Sequence, residues 1–352
     1  MNTAEINNVV APASLDTPRK VEGTILPLDG GRLYLVYTAG ERANHVDGGM
    51  PEGGIQLMGK WSYDEGESWS EKFLVRKMDG IPNVMEPSFV RLPGGRVLQA
   101  YMQWDTYQAG EAYTGLRCKM THSDDDCATW SEPTLITGSE TTYFTTNDHL
   151  VPLSSGRILL PVLTAPDMTS VRTFVTDDDG RSWRKGETAI RAADGVRYSY
   201  PMAVELSGGT VAMFLTNSSG RMHVAHSTDG GDTWSDVNES GLEPCPAPVM
   251  VRRVPETGDL LLIWNNHPQR TNLTSAISRD DGNTWTHYRL LQGQQGWPIE
   301  RTSAYPSLAF SNGYAHMTWY ERRSHPKTGA MFDLLYRRRP VSWFYEGPSG
   351  SE

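Results

Sequence analysis

The sequence predicts an all-β chain, a six-bladed β-propeller of four-stranded antiparallel blades. The first observation is a phrase of the form Ser/Thr-x-Asp-x-Gly-x-Ser/Thr-Trp that occurs at residues 62–69, 123–130, 176–183, 227–234 and 278–285, with Cys127 in the Gly place of the second copy. The second is its spacing. Successive tryptophans of the phrase lie 61, 53, 51 and 51 residues apart, and a period of about 50 residues marks a propeller or a solenoid. The third is composition: 34 Gly, 22 Pro and 11 Trp at 38% hydrophobic content fit a turn-rich sheet protein with aromatic wedges.

Each part of the phrase has a physical task. The Asp accepts hydrogen bonds from backbone two or more residues on and closes a turn. The Gly supplies positive φ. The Trp is a flat apolar plate that wedges between neighbouring sheets. The phrase is therefore read as scaffold and not as site.

In chain order, residues 1–17 read as a flexible lead-in, 18–346 as a single propeller domain and 347–352 as a tail. Each blade opens with a strand, a Gly-rich hairpin turn and a second strand. The blades start near Lys20, Glu86, Asn147, Tyr200, Pro246 and Tyr305. Their turns fall at 29–31, 93–95, 154–156, 207–209, 256–258 and 311–313. The sixth blade has no phrase; Arg337, Arg338, Arg339 and Pro340 fill the expected turn, and the N-terminal segment is expected to add a strand there.

A formal charge of -10 argues against nucleic acid as a partner. No apolar run is long enough for a membrane helix. The first residues lack a basic stretch followed by an apolar core, so the sequence carries no visible signal peptide and a cytoplasmic setting is expected. Three cysteines without ligand spacing, and histidines in strand contexts, give no metal site. Gly-Gly pairs lie in hairpins and not between a strand and a helix, so no phosphate loop and no cofactor is expected.

Strand direction locates the site. Four antiparallel strands place the start of strand one and the end of strand two on one face and the repeated phrase on the other. The first-strand starts and the loops after second strands then supply the candidates. These are Arg19, Lys20, Glu22, Arg42 and Asp47 of blade one, Glu86 and Trp104 of blade two, and Asp148 and His149 of blade three. Blades four to six add Tyr200, Arg270, Tyr305, Glu321 and Arg322. Asp148 and His149 are adjacent on a strand, so only one of them faces the centre. Arginines pair bidentately with carboxylates, aromatic rings stack on sugars, and carboxyl groups carry glycoside hydrolysis. A Tyr nucleophile suits a reacting carbon that already bears a carboxylate, because a neutral attacker avoids like-charge repulsion.

The five phrases and the stretches 86–96, 147–157 and 257–264 resemble the sialidase superfamily, also called the Asp-box or BNR-repeat family, over roughly residues 19–345. The resemblance implies a Tyr nucleophile, matched by Tyr305, and an acid/base Asp from the blade-one loop, matched by Asp47. It also implies a cationic clamp, for which Arg270 and either Arg19 or Lys20 stand in place. Tyr200 and residues 215–217 (Leu-Thr-Asn) stand where the family has a Glu and a second Arg; Glu86, Asp148 and His149 are expected to complete the site. The reading is an exo-acting, sialidase-like glycoside hydrolase removing a terminal acidic sugar. Alternatives are a polysaccharide lyase or a glycosidase for another sugar on the same scaffold, with His149 or Tyr305 as the lyase's base, and a carbohydrate-binding protein without turnover.

Overall fold

The computed structural model describes residues 5–41, 54–77, 84–104, 115–138, 141–242, 246–293 and 301–346. The described chain is all-β, apart from three short 3-10 turns. Six successive antiparallel units follow the repeat. Unit one comprises Arg19–Leu28, Arg32–Gly40, Ile55–Ser62 and Phe73–Arg76. Unit two comprises Val84–Arg91, Val97–Trp104, Leu116–Ser123 and Thr134–Leu135. Units four and five run Tyr198–Glu205 to Asn238–Glu239 and Met250–Arg253 to Thr286–Gln292. Unit three departs from the four-strand plan: its first strand is only Val151–Pro152, and Thr142–Phe144 and Ile190–Arg191 add short edges.

Hydrogen bonding yields five sheets and not six. Unit six (Thr302–Ser311, Tyr314–His325, Gly329–Pro340) joins unit one through a single parallel pairing of Arg19 with Phe332. Residues expected in a flexible lead-in form a strand, Ile6–Ala11, antiparallel to Gly329–Pro340. Burial falls outward within each unit. Val97–Trp104 is buried throughout, whereas its unit's fourth strand, Thr134–Leu135, is exposed.

The repeated phrase closes as local chemistry requires. In its first copy the Ser62 hydroxyl donates to Asp64 Oδ1 at 2.8 Å and accepts the Gly66 N–H at 2.8 Å; Asp64 also takes the Ser68 N–H at 2.9 Å. The same bonds recur in the second copy, where Cys127 adopts φ 69° in the Gly place. Hydrogen bonds from Thr129, with a further one from Ser123, push the Asp125 carboxyl down to about 2. Each phrase docks on the preceding unit. Trp130 lies 6.3 Å from Tyr34, Trp285 lies 6.3 Å from Phe214, and Trp69 of unit one meets Tyr336 of unit six edge-on at 5.1 Å. A Cβ on Gly66 would sit 2.1 Å from the Tyr336 hydroxyl, so this approach admits only Gly. At the same junction Arg338, fully buried, donates to Glu65 O at 2.9 Å and lies 4.7 Å from the Tyr314 ring centroid.

Candidate functional site

The ends of the strands opposite the repeated phrase carry an unusual backbone feature. Glu22, Glu86, Asp148, Tyr200 and Tyr305, near the start of five units, have φ of 56, 54, 58, 47 and 60°. None is Gly, and a left-handed L-residue costs about 1–2 kcal/mol. Four of them, Glu22, Glu86, Tyr200 and Tyr305, sit where the pairing register slips against the second strand. A bulge of this kind re-aims a side chain, and strain held by surrounding structure points to function. Glu86, Tyr200 and Tyr305 each precede a proline. Glu22 and Asp148 share the conformation without a following proline, and a residue before proline favours extended backbone, so no sequence pattern marked the feature.

The bulges bring side chains from separate units together. Tyr305 and Tyr200 meet edge-on at 5.7 Å, and the Tyr305 hydroxyl donates to Tyr200 Oη at 3.3 Å. Tyr320 lies 5.8 Å from Tyr305 on the other side. Arg270, in the segment after Leu260–Asn265, reaches this group with its guanidinium carbon 5.4 Å from the Tyr305 ring centroid and 5.8 Å from that of Tyr200. Its nitrogens donate to Tyr200 Oη at 2.8 Å, to Tyr320 Oη at 3.2 Å, and twice to Pro246 O at 3.0 and 3.2 Å.

Two buried carboxylates share the electrostatics of this group. Glu86 Oε2 accepts the Asn147 N–H at 2.7 Å, while its Oε1 is buried without a protein partner. Burial, then the neighbouring Glu22 charge, push the Glu86 carboxyl well above its usual range against the pull of Arg19 and Arg270. Glu22 Oε1 pairs with Arg19 at 2.7 Å, and its Oε2 is likewise buried and unpartnered. Arg19 in turn lies 5.5 Å from the Phe332 ring centroid. Burial and then Tyr200 push the Tyr305 phenol well above its usual value; Arg270 opposes this, and Glu86 and Glu22 add to it.

The structure thus gathers Arg19, Glu22, Glu86, Tyr200, Arg270 and Tyr305. The other candidates do different work. Asp148 is a staple: Oδ1 accepts Arg252 at 2.7 Å and Thr24 at 3.1 Å, and Oδ2 accepts the Leu308 N–H at 3.0 Å. It therefore ties unit three to units five, one and six. Its neighbour His149 is buried, with Nε2 3.4 Å from Val249 O, and burial pushes the imidazole down to about 3. Such a ring is neutral and closed to substrate. Lys20 turns its ammonium to Thr17 O at 2.9 Å, and burial, then the Lys72 charge, push it down to about 8.

Trp104 is buried in a core cluster with Leu116 and Cys118. Glu321 accepts a hydrogen bond from Gln292 at 2.7 Å, and it is the preceding residue, Tyr320, that faces Arg270. Arg322 is half-buried on the Tyr320 side of its strand. Arg42 and Asp47 lie outside the described residues. Among the described residues, no group of three or more His, Cys, Asp and Glu side chains is placed to hold a metal ion. A cavity of about 360 Å³ lies on the far side of Asp148, lined by Arg252 and by residues toward the hairpin ends such as Pro27, Arg91 and Phe310, away from Tyr305.

A family model of the BNR repeat-like domain matches residues 76–317. A sialidase of Micromonospora viridifaciens is 26% identical over 275 residues, covering 67% of this chain and 41% of that protein, so the chain spans about two-fifths of the length of this relative. Two solved structures are similar in fold at a TM-score of 0.73. One is a protein of unknown function from Dyadobacter fermentans, at 18% identity over 96% of this chain and all of that one. The other is the intramolecular trans-sialidase of Ruminococcus gnavus, in complex with oseltamivir carboxylate, at 15% identity over 97% and 99% of the two chains.

Proposed function

Since this chain belongs to the BNR repeat-like family of the sialidase superfamily, we propose that its six units form a six-bladed propeller carrying an exo-acting glycoside hydrolase site for a terminal acidic sugar. Propeller closure is supported by the docking of the unit-one phrase on unit six. The catalytic reading is carried by Tyr305, a phenol on a strained backbone, flanked by two tyrosines and a guanidinium and within reach of two carboxylate charges.

In this reading Tyr305 Oη attacks the anomeric carbon as the bond to the leaving oxygen breaks, and the phenolic proton passes to Glu86. Burial and the Glu22 charge raise the proton affinity of Glu86, which favours its taking that proton. Water then displaces the phenolate: its oxygen bonds to the anomeric carbon while Asp47, deprotonated in the first step, takes the water proton, the Oη–carbon bond breaks with its electron pair passing to Tyr305, and Glu86 returns the phenolic proton. Asp47 is assigned the acid/base role at the leaving oxygen. Arg19 supplies positive charge toward the substrate, while Arg270 stands beside Tyr305.

One observation favours a second reading, an uncharged sugar on the same scaffold. Arg270 already spends its N–H groups on Tyr200, Tyr320 and Pro246, and Arg19 is paired with Glu22. Elimination with His149 as base has no support, because that ring is buried against Val249.

The test is a panel of aryl glycosides of sialic acid, uronic acids and neutral hexoses, with wild type and Tyr305→Phe. Release from an acidic glycoside, lost by about three orders of magnitude or more in Tyr305→Phe, supports the first reading. Release only from neutral glycosides supports the second. An unsaturated product from a uronide, or binding without product, refutes hydrolysis.

A further inference from the structure

Arg270 holds its guanidinium carbon 5.4 Å from the Tyr305 ring centroid, yet its surroundings do not suit a substrate clamp. A guanidinium offers five N–H groups. Four hydrogen bonds to Tyr200, Tyr320 and Pro246 hold the half-buried guanidinium in one orientation. A fork that grips a carboxylate needs two parallel free N–H groups, and this one has its edge toward Tyr200 and Pro246 filled. Its guanidinium carbon instead lies over the Tyr305 ring.

We infer that Arg270 serves Tyr305 and not the sugar carboxylate, and that Tyr200 and Tyr320 are positioning residues that fix its charge beside the Tyr305 oxygen. The inference rests on the nucleophile reading of Tyr305 and deepens it. When the phenol loses its proton in the attack, and again when the phenolate leaves, a fixed positive charge beside it stabilises the oxygen without reorganisation. Tyr200 belongs to the same device. It accepts from Arg270 at 2.8 Å and lies 3.3 Å from Tyr305 Oη. A hydroxyl polarised by a guanidinium donates more strongly, so its proton turns toward Tyr305 as that oxygen becomes anionic. Tyr320 holds the other arm of the fork at 3.2 Å. The direction of the Arg270 effect on the Tyr305 phenol, downward against burial, agrees with this assignment.

The experiment separates this device from the hydrolysis itself. Tyr305 is replaced by a trifluorotyrosine, whose phenol ionises near neutral pH, and its titration is followed by fluorine NMR in otherwise unaltered protein, in Arg270→Met, in Tyr200→Phe and in Tyr320→Phe. The expected result is a fall in the ionised fraction at fixed pH of about tenfold or more in Arg270→Met, with smaller falls in the two phenylalanine variants. An Arg270→Met titration that superimposes on the parent overturns the inference. Arg270→Lys distinguishes charge from packing: it restores part of the ionised fraction if charge acts, and none if the arginine only packs, which also overturns the inference. The titration needs no turnover, so an inactive chain with the expected shifts refutes the hydrolase reading alone. A catalytically active chain in which Arg270→Met raises KM without lowering kcat refutes the inference alone.

Discussion

Replacing Asp148 by Asn tests whether this buried carboxylate is a staple or part of the catalytic group. Its Oδ1 takes Arg252 at 2.7 Å and Thr24 at 3.1 Å, and its Oδ2 takes the Leu308 N–H at 3.0 Å. Every bond is a donor pointing at an acceptor. An asparagine keeps the Arg252 and Thr24 bonds only by turning its NH2 toward the Leu308 N–H, which leaves two buried donors facing each other. An unsatisfied buried group costs about 1–3 kcal/mol, and the Arg252 bond loses its charge partner. The total is about 3–5 kcal/mol, the range for breaking one side of a buried pair. At about 2.1 cal/mol/K of unfolding entropy per residue, 352 residues convert that loss to a Tm lower by about 4–7 °C. Calorimetry measures Tm, and kcat is taken well below the variant's melting range. The expected outcome is the Tm loss with kcat within about threefold of wild type, since no transition-state contact is removed. An unchanged Tm with kcat down by two orders of magnitude would refute the staple and return Asp148 to the catalytic set.

Glu86 should behave in the opposite way. Its folded carboxyl is pushed up by burial and Glu22, so the stability it contributes is present in acid and lost as pH rises through the folded value. Glu86→Gln removes that loss: the variant melts with wild type at low pH and above it at neutral pH while hydrolysis falls, and a variant that melts below wild type at neutral pH contradicts the assignment. At the junction of units six and one, Arg338→Met removes a fully buried guanidinium bonded to Glu65 O. The cost is about 2–3 kcal/mol, read as a lower Tm together with faster proteolysis around Ile6–Ala11; an unchanged melt places the closure in the strand pairing instead.

The repeated phrase was legible because its chemistry is local. Asp64 meets Ser62 and Ser68 within one turn, and such spacing survives in any surroundings. The end of the strands that bears the site was legible too, because strand alternation places Glu86, Tyr200, Arg270 and Tyr305 together without knowledge of packing. Which neighbour faces inward was not. Strict alternation decides a side only while the register holds, and the slips at Glu22, Glu86, Tyr200 and Tyr305 interrupt it. Lys20 and Glu321 were therefore placed beside the site, whereas Lys20 turns to Thr17 and Tyr320 takes the place expected of Glu321. The Asp148 staple depends on Arg252 and Leu308, 104 and 160 residues away in the chain, and no local pattern announces such partners. The fusion of units six and one rests on one parallel pair, Arg19 with Phe332, which is likewise invisible in sequence spacing.

Asp148 and Glu86 separate two uses of one backbone device. Both are buried acids on left-handed residues near the start of their units, at φ 58 and 54°, so strain alone does not distinguish them. Satisfaction does. Asp148 has protein donors on both oxygens, and its strain is offset by bonds that fasten three other units. Glu86 leaves Oε1 without a protein partner, and Glu22, whose charge acts on it, leaves Oε2 in the same state. Buried unpartnered oxygens are rare in folded proteins and destabilising where they occur. The fold keeps two such oxygens near a strained phenol and a guanidinium held by four hydrogen bonds, leaving hydrogen-bonding capacity unspent there, while it completes the bonds of the equivalent Asp148. That capacity is what a bound sugar hydroxyl or a migrating proton would use, and it is why the chemistry is assigned to Glu86 and Tyr305 and the architecture to Asp148.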